Sequence, residues 1–327
     1  MGSGFRRRLT LAGLGASALA IAPSVAAQQD YPARPIQLIQ GFGVGGNADV
    51  IARILAAKLQ DYLKQAVIVE SKAGAGGSIA SSYVAKAKPD GYTLVMLTGA
   101  HSVSAALRKT LPYDPIADFS FITTVSSFPF VIAVRAEHPA KTLADLLAMA
   151  KQAPGKLTFT SAGMGSTQHM TGELLAATAG VQLLHVPYPG GGAPVQAVLA
   201  GDVDILADTL TVAMPHISSG RLRALAITSA NQWPILPSIP PASATLPGFE
   251  VRSWLGLAAP AGTPEEVVRL INREVLRALQ APDLRNALGG AGSVVAPSSP
   301  DSMRSLVQQE IVRWRAVIEK VGIPLQD

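Results

Sequence analysis

The chain contains no cysteine in its 327 residues. That excludes disulfide cross-links, a thiol nucleophile and thiolate metal sites, so stability has to come from packing. Aromatic residues make up only 5% of the chain and charged residues 15%. No Lys/Arg cluster carries interleaved aromatics, so a nucleic-acid surface is not expected. His138, His185 and His216 stand apart, without the i, i+4 spacing of a helical metal site. No metal and no cofactor are expected. Long apolar runs are also lacking. The best one, "LTLAGLGASALAIA", is too short and too rich in alanine to span a bilayer.

That run has a meaning of its own. Arg6, Arg7 and Arg8 precede it and "PSVAAQQ" follows, giving the charged, apolar and small-residue sections of a secretory signal peptide. Residues 1–27 are read as this signal, cut after Ala27 or one residue earlier. Arg7-Arg8 leaves twin-arginine export open beside the Sec route. Three of the 27 Lys+Arg would leave with the signal and none of the 22 Asp+Glu, so the exported chain has 24 against 22, or +2. About 300 residues remain, enough for two lobes with separate cores. The expected location is the periplasm.

The rest of the chain alternates short β-branched runs with helix-length amphipathic ones, the pattern of parallel sheets covered by helices. Strands are expected at 36–40, 66–70, 93–98, 130–134, 157–161, 182–186, 204–208, 223–229 and 255–260. Helices are expected at 48–64, 76–87, 142–152, 168–179, 191–200, 212–219, 264–280 and 300–321. Segments 36–98 and 157–208 each read strand, glycine loop, helix, strand, glycine turn, helix, strand. The repeat predicts an α/β fold of two similar lobes, each a mainly parallel sheet flanked by helices. "TTVSSFPF" (123–130) reads as the passage into the second lobe and 247–264 as the return. The expected boundaries are 28–127 plus 253–327 for lobe 1 and 128–252 for lobe 2.

Chemistry concentrates in the glycine loops. Gly41, Gly43 and Gly46 have the G-x-G-x-x-G spacing of a dinucleotide turn, and Glu70 mimics its acidic ribose ligand. Export away from the nicotinamide pool, and a second glycine loop "SAGMGSTQH" in the other half, favour a different reading. Helix starts leave N–H groups free and carry partial positive charge, and glycine lets them approach an anion closely. Two such loops face to face make a cage for a small carboxylate. Neither loop contains Lys or Arg. Strand-end positions add Thr98, His101 and Asp208 as ligand contacts, with Tyr188 as a roof over the ligand. Trp254 is read as hinge packing. Ser166, His169 and Asp208 also make up the residue types of a hydrolase triad, although no G-x-S-x-G elbow surrounds Ser166.

Several segments together resemble one family. They are "YPARPIQLI", "GGNADVIARILAAKL", "VIVESKAGAGGSIA", "AKPDGYTLVM", "GKLTFTSAGMGSTQHMTGELL", "VPYPGGGAPVQAVLAGDVDILADT" and "EIVRWRAVIEKVGI". The chain is similar along its exported length to the Bug family, the solute receptors of tripartite tricarboxylate transporters. The resemblance implies a periplasmic, two-lobed Venus-flytrap binding protein that is not an enzyme. It also implies a small organic carboxylate as ligand, membrane transporter subunits as partners, and a monomeric receptor. By the same resemblance the ligand carboxylate is held by Phe42, Gly43, Gly45, Gly46, Asn47 and Asp49 on one side. On the other side stand Ser161, Ala162, Gly163, Gly165, Ser166, Thr167 and His169. The first loop departs from the family's proline-rich form by reading "GFGVGG", which predicts a more mobile backbone there. Pro189 stands where a lysine is usual. The scarcity of charge in the loops favours a monocarboxylate or aromatic acid over citrate. Two other functions stay open at this point: a sensor of the same fold feeding a kinase, and an exported serine hydrolase.

Overall fold

The computed structural model describes residues 1–2 and 31–327. The rest of the expected signal peptide and its cut after Ala27 lie outside the described residues. The first half runs β1 (Ile36–Gln40), α1 (Asn47–Leu63), β2 (Val67–Ser71), α2 (Ser78–Ala85), β3 (Thr93–Thr98) and α3 (Gly99–Leu107). There follow β4 (Phe119–Arg135), α4 (Leu143–Gln152), β5 (Thr158–Ser161), α5 (Thr167–Ala179), β6 (Leu184–Pro187) and α6 (Ala193–Ala200). Next come β7 (Ile205–Thr209), α7 (Leu210–Ser218), β8 (Leu222–Ile227) and β9 (Arg252–Pro260). The chain ends with α8 (Glu265–Gln280), α9 (Pro282–Gly290), β10 (Val294–Val295) and α10 (Pro300–Val321).

The strands lie in the order β2-β1-β3-β9-β4-β7-β5-β6, with β8 and β10 also paired to β4. Strands β2, β1 and β3 are parallel, as are β6, β5 and β7. Strand β9 runs antiparallel between β3 and β4. The result is an α/β protein of two lobes, each a largely parallel sheet with helices packed on it. Ile36, Leu38 and Ile39 on β1 are fully buried, each worth about 1.5–3 kcal/mol relative to exposure. Helix α8 shows how pattern becomes packing. Val267, Val268, Ile271, Val275, Ala278 and Leu279 form its buried stripe, and Glu265 and Glu266 sit in the first turn where the dipole favours acids.

Several segments differ from the sequence expectation, among them α9 and β10, which none of the expected elements covers. "TTVSSFPF", read as the passage into the second lobe, is itself extended and forms the middle of β4, a strand of 17 residues that takes in the expected strand 130–134. From Phe119 to Pro129 it pairs with β9, and from Phe130 onward with β7 and β8. Register shifts between Phe121/Thr123 and Thr124/Ser126 interrupt the ladder and bend it, so that one strand serves both lobes. Residues 99–107, covered by none of the expected elements, form α3. Its small and β-branched residues give no strong helical signal, yet all nine are buried, and the Thr98 hydroxyl caps the start by accepting from Ala100 N. Tertiary burial outweighs weak propensity there. No helix among the described residues is long and apolar enough to cross a membrane.

Candidate functional site

The loop after β1 approaches the loop after β6 where the lobes meet. Gly43 N donates to Pro189 O at 3.1 Å, and Thr211 Oγ1 donates to Asn47 Oδ1 at 2.6 Å. A Cβ on Gly43 would lie 2.8 Å from Gly190 O, and one on Gly191 2.6 Å from Val44 O. Gly191 also has φ +66, a conformation that side chains disfavour. Backbone therefore packs directly on backbone. Gly41 and Gly43 do not use positive φ. The missing side chain of Gly43 serves this close approach, and that of Gly41 a close approach to Gly77 on its own side, rather than a wider range of φ.

A cleft open to solvent on one side lies between these segments. Phe42, Gly46, Asn47, Ala48 and Thr98 line it from one side. Ala162, Thr167, Gln168, Gly190, Gly191, Asp208, Thr209 and Val212 line it from the other, with Phe128, Phe130, Ser253 and Leu255 from the connecting strands. This lining contains no Lys, Arg or His, and Asp208 is its one ionisable side chain.

The loops after β1 and after β5 end in helix starts with free donors. Gly46 caps α1 without a side-chain bond, and the first backbone bond runs from Val50 N to Gly46 O. The amides of Asn47, Ala48 and Asp49 thus find no acceptor among the described residues. At α5 the Ser166 hydroxyl accepts from His169 N and the Ser166 carbonyl from Met170 N. That leaves the amides of Thr167 and Gln168. Three buried side-chain atoms in the same lining also lack partners among the described residues: Asn47 Nδ2, Thr167 Oγ1 and Thr209 Oγ1. Buried polar groups are nearly always paired, so a cluster of unpaired ones around a cavity points to an external partner. Converging donors with no cation suit a small anion held by hydrogen bonds.

Phe42, Gly46, Asn47, Thr98, Ala162, Thr167 and Asp208 come together in this lining. The other candidates stand behind it. Asp49 is buried, pairs with Arg53 at 2.9 Å and accepts from Gly45 N at 3.0 Å, tying the first loop to its helix. Ser161 Oγ lies 2.6 Å from His185 Nε2 and accepts from Gly163 N, which shapes the second loop. The Gly165 carbonyl accepts from Ser104 across the cleft. Tyr188 packs its half-buried ring on the apolar cluster of lobe 2. His101 is enclosed in α3, with Nδ1 near the Ser81 hydroxyl and Nε2 2.9 Å from Pro115 O. Burial pushes its pKa down to about 4, so the ring is neutral and packs on Tyr113. Burial and then the neighbouring His169 hold His185 at about 4 as well, with ring centroids 4.3 Å apart. The His169 ring lies 3.6 Å from Glu173, while Asp208 Oδ1 accepts from Thr209 N and Gln168 Nε2. Ser166, His169 and Asp208 therefore do not assemble as a triad.

Sequence reasoning passed over Gln168, Thr209, Ser253, Phe128 and Phe130. Gln168 and Thr209 adjoin named residues and were within reach. Phe128 was hidden because its segment read as the passage between lobes, and Phe130, although in the expected strand 130–134, carried no sign of facing the cleft. Among the described residues no group of three or more His, Asp or Glu could hold a metal ion.

Residues 51–323 match the family described as the tripartite tricarboxylate transporter family receptor. The chain belongs to this family. Its members are solute-binding receptors and not enzymes. The chain is 35% identical to BugT of Bordetella pertussis over 323 residues, 98% of this chain and 99% of that one. It also resembles two solved structures from Rhodopseudomonas palustris. One is Rpa4515 with adipate, at TM-score 0.87 and 34% identity, covering 90% of this chain and 99% of the other. The second is MatC (Rpa3494) with bound malate, at TM-score 0.84 and 34% identity, covering 88% and 100%. With the Bug-type relatives, these place the chain among solute receptors that have carboxylate-binding members.

Proposed function

We propose that the chain is a periplasmic receptor that closes on a small organic carboxylate and hands it to a tripartite tricarboxylate-type membrane transporter. The observation that carries this reading is the set of unpaired polar groups around one cleft, from the residues of two helix starts and from three side chains. In that reading residues 28–127 with 253–327 form one lobe and 128–252 the other, and they rotate about β4 and β9. The carboxylate sits between Asn47, Ala48, Thr167 and Thr209, while Thr98 and Ser253 contact the remainder. Closure excludes water and so strengthens each hydrogen bond to the anion. Asp49, Ser161 and Ser166 act by fixing the loops. The bound adipate and malate of the two similar structures support carboxylates as the ligand class. Export through the N-terminal segment and the transporter partnership follow from the sequence pattern and the family.

Thermal-shift screening of the purified protein against mono-, di- and tricarboxylates, neutral sugars and amines tests the reading. At least one carboxylate should raise the Tm, because a ligand stabilises the state that binds it. A rise with sugars alone, and with no carboxylate, would remove it.

A further inference from the structure

We infer that the acid held in this cleft also carries a hydrogen-bond donor, a hydroxyl or an ammonium, that meets Asp208, and that plain diacids are disfavoured. This rests on the carboxylate reading above and narrows it.

Asp208 sits at the carboxyl end of β7, is 3% exposed and lines the cavity. Its Oδ1 is occupied, accepting from Thr209 N at 2.7 Å and Gln168 Nε2 at 3.2 Å. Its Oδ2 makes no hydrogen bond of ordinary geometry among the described residues, and the Thr209 hydroxyl is the one further protein donor beside the carboxylate. Nor does Asp208 have an ion-pair partner there, whereas Asp49, equally buried, has Arg53. A buried carboxylate without a cation or a full set of donors is costly, which burial expresses by pushing its pKa up to about 6. The neighbouring walls offer no compensation, because the lining holds no other ionisable group. An ammonium or hydroxyl on the ligand would complete Oδ2. A second ligand carboxylate would meet a like charge in a site of low dielectric, where repulsion is strong. The free donors at the helix starts are thereby left for one carboxylate.

Calorimetry at pH 7.5 on the wild type and Asp208→Asn tests this with matched acids of three to five carbons. Each set holds a plain acid, a hydroxy acid, an amino acid and a diacid. The expected result is that a donor-bearing acid binds wild type at least about tenfold tighter than the plain acid and the diacid of equal length. In Asp208→Asn the diacid should gain at least about fivefold and the amino acid lose about tenfold. Asparagine keeps an oxygen for Thr209 N and Gln168, so cooperative unfolding should persist and show that the variant is folded. The hydroxy and amino arms distinguish which donor is used. Diacids binding wild type as tightly as donor-bearing acids, or a ranking unchanged by Asp208→Asn, would overturn the inference and leave the carboxylate reading standing. Failure of every acid to bind would overturn both.

Discussion

The loop that opens α1 and the loop that opens α5 solve the same problem differently. The first leaves three amides free and anchors itself from outside the donor array, through Asp49 to Arg53 and Gly45 N. The second uses Ser166 to satisfy one of its own amides and leaves two. Each lobe also buries an aspartate near its loop, paired in the first and without a cation in the second. The difference suggests a division of labour. The first loop supplies the larger set of free amides, and the second lobe supplies the one charge in the lining.

Blocking closure should have the largest effect. Gly191→Val places a side chain against Val44 O in a strained conformation and should weaken carboxylate binding more than about 100-fold. Small-angle scattering should show no compaction with ligand. Compaction and unchanged affinity would mean that the loops do not meet.

Asp208→Asn should come next. The folded pKa near 6 lies above the ordinary 3.8, so the native state holds the proton more tightly. The resulting stability is fully present below about pH 4 and is lost as pH rises through 6, a loss on the order of 3 kcal/mol. Without ligand, the variant should therefore be more stable than wild type above pH 6 and equal to it below pH 4. Parallel pH–Tm curves would show that burial of Asp208 has been misjudged.

Asn47→Leu should cost about 1.5–3 kcal/mol of binding, since Nδ2 would donate to a charged group. Thr167→Val on the opposite loop should cost less, and calorimetry orders the two. If Thr167→Val is the more damaging, the first loop is not the main platform. The smallest effect belongs to Ser166→Ala, which removes a helix cap. It should lower stability by about 1 kcal/mol and change ligand affinity less than about threefold. Ester hydrolysis lost with Ser166→Ala would instead favour a catalytic serine.

Much of this was legible in the chain itself. Period-two and period-3.6 patterning located β1, β3, β7 and α8 because local burial repeats with the element's own geometry. Glycine loops after β1 and β5 marked the cleft because helix starts need partners and glycine admits them. What patterning could not show was which residues turn inward. Thr98 and His101 both looked like strand-end ligands, yet only Thr98 reaches the cavity, while α3 carries His101 into the interior. Phe128 and Phe130 reach it because β4 is one long strand.

Sequence alone thus determined the α/β alternation, the two glycine loops and the absence of any cationic clamp in them, since each depends on neighbours a few residues apart. Tertiary structure decided the rest: the strand shared by both lobes, the glycine-on-glycine closure and the lone charge of Asp208 in the cavity. Those depend on contacts between segments far apart in the chain, and local patterning carries no information about them.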